Sequence, residues 1–357
     1  MPNLANNIQA QPESLARTLR HQCGEGAEAI KQAAALLASG KKIVITAMGA
    51  SLFASIPLQY FLSSLGLNAV AVEAGELLHY LDDAWKDAVV LMVSRSGESV
   101  EIARLLERMK CVVPIIGVTN EPLSLLALSA DVSLSIASLN DEMVAIQTYT
   151  GTLLTLHLLG NCVAGTFDTA AGEVRKMLPS FASLVETTMH RLAEWNAFLA
   201  PPPTVYLLAR GPSLASAHEG ALLFHEVAKS PAVAMPVASF RHGPVEVVDQ
   251  NFRGIVFVPN DGTRELSLSL ARDLVDFGGR IRLIGPLASA SADMHWCDVP
   301  SVSGTFAPIF EIVPMQAAAY QLAILRGIEP GSFRYAPQVA VDEASFNLRQ
   351  GSRSRQT

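Results

Sequence analysis

One short pattern occurs twice in this chain, and it constrains the fold more than any other feature. ITAMGASL at 45–52 is echoed by LARGPSL at 208–214, with Gly49 and Gly211 standing 162 residues apart. Each copy is an apolar run that breaks at glycine and serine and passes into a helical pattern. Later matches keep the same order. GIVFVPNDGT (254–263) stands where the first half has VVLMVSRSGE, RIRLIGP (280–286) stands for VPIIGVTN, and the helical stretch from about Ala307 to Arg326 matches that at 144–159. Strand and helix signals alternate throughout. The sequence therefore predicts an α/β protein built from two similar units, each a parallel sheet flanked by helices in a flavodoxin-like or Rossmann-like three-layer sandwich.

Predicted strands in the first half are Ile43–Thr46, Ala69–Glu73, Val89–Val93, Pro114–Thr119 and Val132–Ile136. Helices run through Leu52–Leu65 and from about Val144 to Leu159. Residues 168–198 have the spacing of a connecting helix, and three prolines at 201–203 break the chain after it. The organisation expected is a helical lead-in (1–40), a first subdomain (41–166), the connecting helix (167–200), a second subdomain (201–330) and a tail (331–357). The tail is either disordered beyond about Phe346 or wraps over a neighbouring site. A single core stops growing near about 250–300 residues, so 357 residues suit two cores.

Composition narrows the partners. A net charge of −7 with no basic cluster argues against nucleic acid. The N-terminus has no apolar signal core, and no uninterrupted apolar run reaches 18 residues. No transmembrane helix and no membrane partner are expected, and the location expected is the cytoplasm. Cys23, Cys111, Cys162 and Cys297 are scattered, as reduced cytosolic cysteines are, and suggest no zinc site. A chain 50% hydrophobic and only 17% charged hints at a subunit interface.

The stretch VVLMVSRSGES (89–99) carries the chemistry. A strand feeding a helix through this turn points backbone N–H groups, Ser94, Ser96 and Ser99 at one spot, beside the positive end of the helix dipole. A phosphate monoester suits that spot. An ordinary turn with serine caps would also produce the pattern. The second half keeps the glycine in PNDGT but lacks the serine triplet, so a single phosphate site is placed in the first half.

Taken in order, QAQPESLARTL (9–19), MGAS (48–51), SRSGES (94–99), VAIQTYTGT (144–152), EGALLFHE (219–226), SFRHGP (239–244) and APIFEIVPMQAAAYQLAILRG (307–327) resemble the sugar isomerase (SIS) domain family. The likeness is to the isomerase half of glucosamine-6-phosphate synthase and to stand-alone phosphosugar isomerases, deaminases and fructosamine-6-phosphate deglycases. It implies two tandem SIS subdomains and a homodimer with sites shared between subunits. Ser94, Ser96 and Ser99, with Gly97 in the same loop, would bind phosphate. Arg95, at a position that is often glutamine, would add a charged contact. Ser51, with Gly49, would touch sugar or phosphate, and Val144, Ala145, Glu142 and Gln338 would lie on the sugar side. Glu226 matches the glutamate that moves a proton between C1 and C2. His242, donated by the partner subunit, matches the histidine linked to ring opening. The resemblance implies neither metal nor other cofactor.

Glu219 and Glu226 fall on the side of their helix that carries Leu222. A carboxylate there is either used, with burial raising its pKa toward that of a general base, or paired, Glu226 with Lys229 three residues on. Glu219 is either structural or in direct contact with substrate. His242, before Gly243-Pro244, is either a proton shuttle or a turn histidine. His225 is expected to face elsewhere, and the remaining histidines show no ligand spacing. Glu142 either reaches the sugar or complements the dipole of the helix that follows.

The chain departs from the family in three places. The stretch that should carry a lysine is FRYAPQVAVDE (333–343), where the position falls on Pro337 or Gln338, and no lysine follows Lys229. A Schiff base at that position is unavailable, whereas an acid–base enediol route through Glu226 and His242 is not. Leu223 replaces a residue that is polar in some relatives. No cysteine nucleophile or glutaminase domain precedes residue 40, so release of ammonia from glutamine is not expected. The function expected is aldose–ketose isomerisation of a hexose or amino-hexose 6-phosphate, with amino-group release or transfer open. A deglycase or deaminase and a non-catalytic phosphosugar-binding regulator are the alternatives.

Overall fold

The structure is a computed structural model that describes residues 4–40, 42–141, 143–201, 204–287, 294–302 and 304–335. It forms two compact units: one of residues 13–175, the other of residues 176–332 with the N-terminal segment up to Pro12. The lead-in is helical, as α1 (Leu4–Gln9), α2 (Gln11–Cys23) and α3 (Ala27–Ser39).

In the first unit, β1 (Ile43–Ala47), β2 (Ala69–Glu73), β3 (Val89–Val93), β4 (Ile115–Thr119) and β5 (Val132–Ser135) form one sheet in the order β2-β1-β3-β4-β5. Every neighbouring pair is parallel. Each strand hands over to a helix: α4 (Gly49–Ser64), α5 (Ala74–His79), α6 (Val100–Met109), α7 (Leu125–Ser129) and α8 (Gln147–Val163) in turn. The central strands IVITA, VVLMV and IIGVT are buried from end to end, because helices cover both faces of a parallel sheet. The edge strand β2 is half open. Val44, Val90, Met92, Ile102, Leu105 and Met109 anchor the core on the α5–α6 side.

The long α9 (Phe167–His190) and short α10 (Asn196–Leu199) lead to the second sheet. Its strands are β6 (Val205–Ala209), β7 (Ala232–Pro236), β8 (Arg253–Phe257), β9 (Arg280–Gly285) and β10 (His295–Asp298), in the order β10-β9-β8-β6-β7 and again all parallel. From the other edge this is the first sheet's order with five added to each strand. The helices are α11 (Leu214–Glu226), α12 (Val237–Phe240), α13 (Arg264–Asp276) and α14 (Ala307–Leu325). The turns matched in sequence match in backbone too: Gly49 has φ 51° and Gly211 φ 52°. The expected α/β class and duplication are thus present.

Several expected bounds move. β4 begins at Ile115 because Pro114 has no N–H for the ladder, although its carbonyl accepts from Val90 N–H at 2.9 Å. α8 begins at Gln147, so Val144 and Ala145 precede the helix instead of opening it. β8 includes Arg253, which is buried because its guanidinium donates to the carbonyls of Phe198, Asn251 and Phe252. Among the described residues one helix, α14, is long and apolar enough to cross a membrane by length and composition. Its residues from Ala307 through Ala319 are all buried inside the second unit. Glu142, Gln338 and Pro337 lie outside the described residues.

Candidate functional site

In a sheet ordered 2-1-3-4-5, chain connections leave β1 and β3 in opposite directions, opening a crevice at the carboxyl ends of those strands. Here Ala47 pairs with Val93, so the turns that follow them emerge side by side. One carries Gly49 and Ser51, the other Ser94 through Ser99. Ser51 sits in the first turn of α4, half-buried, and its carbonyl accepts from Ser55 Oγ at 2.8 Å.

The loop from Ser94 to Ser99 is held from beneath. Ser94 N–H donates to the Val118 carbonyl at 2.9 Å, and Gly97 N–H donates to Ser94 Oγ at 3.1 Å. Gly97 has φ 64°, and a Cβ there would lie 2.2 Å from Ser124 Oγ, so glycine is required on two counts. Ser124 caps α7, accepting from Ala127 N–H at 3.3 Å. The start of α7 returns the support: Leu126 N–H donates to the Gly97 carbonyl and Leu125 N–H to the Glu98 carboxylate.

The three serines are not equivalent. Ser94 is buried and Ser96 Oγ accepts from Glu98 N–H at 3.3 Å, so both oxygens already act as acceptors inside the loop. Their hydroxyl protons are what they offer an anion. Ser99 occupies the N-cap position of α6 yet makes no capping bond, leaving the first-turn amides of α6 without that usual partner. Gly97 N–H is turned inward and does not join the exposed amides that the sequence suggested.

Arg95, expected as a charged phosphate contact, also bonds the chain. Its Nη1 donates to the Met143 carbonyl at 3.3 Å, one residue before Val144. The Val144 side chain is buried in the core, and Ala145 is partly exposed. This corner is fixed by Asp141, which the sequence reading did not single out. One of its carboxylate oxygens accepts from Ile146 N–H (3.0 Å), Thr148 N–H (2.8 Å) and Thr148 Oγ1 (2.6 Å), and the other from Gln147 N–H (3.0 Å). Asp141 is thus a carboxylate that complements the start of α8.

In the second unit, Glu226 is the last residue of α11 and is half-buried. The Lys229 ammonium donates to the backbone carbonyl of Glu226 and to that of Ser332. Glu219 is deeply buried. His225 is exposed, with Nε2 3.1 Å from the Ala232 backbone. His242 is exposed in the turn after α12, where its N–H donates to the Ser239 carbonyl and Gly243 takes φ 120°. His157 is a core residue of α8 whose burial pulls its pKa down to about 4.

The second copy of the turn is closed to anions by the chain itself. Ser213, the repeat equivalent of Ser51, donates to one oxygen of Glu311 at 2.8 Å, and Ser216 donates to the other at 2.8 Å. Burial raises the Glu311 carboxyl to about 7 despite these two donors. Glu311 had no role in the sequence reading; its burial shows only once α14 is packed. Among the described residues, no group of three or more His, Cys, Asp or Glu side chains is placed to hold a metal ion.

A duplicated 2-1-3-4-5 sheet with a serine-rich turn at the switch point of one copy defines a doubly wound α/β protein of two similar units, and comparison with known proteins makes the class specific. The SIS domain model matches residues 36–161 and 198–326, and the chain belongs to the SIS domain family. It is 29% identical over 337 residues to glutamine–fructose-6-phosphate aminotransferase [isomerizing] of Pyrobaculum aerophilum, covering 92% of this chain and 55% of that one. The chain spans about half the length of the curated relatives it matches. In fold it resembles the C-terminal domain of glucosamine-fructose-6-phosphate aminotransferase from Francisella tularensis, with a TM-score of 0.80, 22% identity and coverage of 91% of this chain and 96% of that one. It resembles tagatose-6-phosphate ketose/aldose isomerase from Escherichia coli equally, with a TM-score of 0.80, 20% identity and coverage of 96% and 98%.

Proposed function

We propose that this chain is a phosphosugar isomerase that interconverts the aldose and ketose forms of a hexose or amino-hexose 6-phosphate. The observation that carries the reading is the crevice between β1 and β3, where Ser99, whose side chain makes no capping bond to α6, stands in one loop with Ser94 and Ser96 beside the turn that carries Ser51. A phosphate ester accepts hydrogen bonds only, and this crevice presents donors. Anchoring the ester there spends remote binding energy on orienting carbons that carry no charge of their own.

The step itself moves one carbon-bound proton and one hydroxyl proton. Glu226 is proposed as the base that removes the proton from C2 of the open-chain aldose, giving an enediolate, and returns it to C1 while the hydroxyl proton passes from O2 to O1. His242, contributed by the partner protomer of a homodimer, is proposed to pass the proton that opens the sugar ring. The names of the relatives, an isomerising aminotransferase and a ketose/aldose isomerase, support this chemistry. They leave the amino group open, and the lack of any lysine after Lys229 favours a route without a Schiff base at the tail.

The test is proton NMR of hexose and amino-hexose 6-phosphates in heavy water. Wild-type protein is expected to exchange the C2 proton of one substrate, and Glu226→Gln to slow that exchange by about 10²–10⁴-fold. Equal turnover by the variant would remove Glu226 from the mechanism. Binding with no exchange by wild type would favour the regulatory reading, and ammonia release without glutamine the deaminase reading.

A further inference from the structure

The crevice has a second layer, and it is polar and continuous. The Arg95 carbonyl accepts from Asn120 N–H and from Thr119 Oγ1, both at 3.0 Å. The Asn120 side chain reaches the 138–140 segment, accepting from Ser138 N–H at 2.9 Å and donating to Asn140 Oδ1 at 2.7 Å. Asp141 follows and grips the start of α8 through three consecutive N–H groups and the Thr148 hydroxyl. Arg95 closes the circuit by donating to the Met143 carbonyl. The phosphate loop and the corner at Met143–Ala145 are thus tied together by one ring of hydrogen bonds within the first unit.

We propose that Arg95 and Asp141 are a pair of positioning residues. They hold the backbone at Val144 and Ala145 in register with an ester bound in the serine loop, so that the loop selects a phosphorylated sugar over phosphate alone. The inference rests on the function proposed above and deepens it. Three physical points carry it. First, Val144 is buried as a whole residue while Ala145 is partly exposed, so the backbone at Ala145 is what can meet a sugar hydroxyl, and backbone is placed by what its neighbours bond. Second, Asp141 sits six residues before the first helical N–H it accepts, that of Gln147, which fixes a non-helical corner instead of a simple cap. Third, Arg95 Nη1 donates to a backbone carbonyl and so orients chain, whereas the hydroxyls of the serine loop can donate to an anion.

The experiment uses two probes on the full chain, inorganic phosphate and fructose 6-phosphate, titrated by calorimetry. Arg95→Gln and Asp141→Asn are each expected to leave the phosphate Kd within about twofold while weakening fructose 6-phosphate about tenfold. A change of that kind separates the probes, which general loss of structure would not do. If Arg95 is a ligand of the phosphate, Arg95→Gln will weaken both probes in parallel, and the proposal is overturned. Should Arg95→Gln not fold, Asp141→Asn carries the same test: unchanged fructose 6-phosphate binding, or parallel loss of both, overturns it. Wild-type protein that binds phosphate but binds fructose 6-phosphate no more tightly overturns the pairing and leaves the anion site standing. Wild-type protein that binds neither rejects the proposed function and this inference with it.

Discussion

At Gly97 two constraints meet in one atom. The positive φ alone strains an L-residue by roughly 1–2 kcal/mol, and the missing Cβ leaves the space that Ser124 Oγ fills. Gly97→Ala is expected to cost about 2–3 kcal/mol in urea unfolding and to abolish phosphate binding in calorimetry. Intact binding would show that the loop is not the anion site. Glu311 gives a second residue-scale prediction. The folded chain holds its proton near pH 7, whereas an ordinary glutamate releases it near 4.5. Native protein therefore binds the proton more tightly than unfolded protein. The stability this group contributes is full below pH 4.5 and is lost as pH rises through 7, a change of about 3 kcal/mol. Glu311→Gln, whose amide takes no charge, should remove that slope. Urea midpoints measured between pH 5 and 8 check it, and parallel curves for the two proteins would refute it. Gly97 stood out in the sequence as a glycine in a serine loop. Glu311 did not, because a glutamate in an apolar helix has no visible partner until Ser213 and Ser216 are folded against it.

Elements were legible where periodicity was strong and vague where partners decided the ends. The central strands were placed to within a residue because β-branched, mostly apolar runs suit a sheet covered on both faces. The start of α8 was misplaced by three residues, since the apolar Val144 continues the helical pattern while Asp141 holds the preceding backbone out of the helix. Asp141 could not be found from sequence: a helix cap is sought next to the helix, and this one reaches in from a loop. The start of α6 yields a prediction of its own. An N-cap serine that bonds its helix contributes about 1 kcal/mol, and Ser99 makes no such bond. Ser99→Ala should change stability by less than about 0.5 kcal/mol while weakening phosphate binding about tenfold. A large loss of stability with phosphate binding kept would return Ser99 to the role of an ordinary cap.

For the whole molecule, duplication without equivalence is the governing fact. Both units use one strand order and one backbone turn, at Gly49 and at Gly211. In the first unit Ser51, beyond that turn, is partly exposed beside the serine loop that follows β3. In the second, Ser213 and Ser216 are consumed by Glu311. Calorimetry with inorganic phosphate should therefore find one site per chain, and a stoichiometry of two would show that Glu311 does not close the second copy. The sequence by itself determined the α/β class, the repeat and the position of the serine loop. Each of these is written in local order, as alternating apolar periods and a run of small residues short enough to read directly. Tertiary structure alone decided which hydroxyls remain donors, that Asp141 holds the start of α8, and that Arg95 turns to the Met143 carbonyl. Those outcomes depend on groups far apart in the chain competing for the same hydrogen bonds, and that competition is settled only when the elements pack.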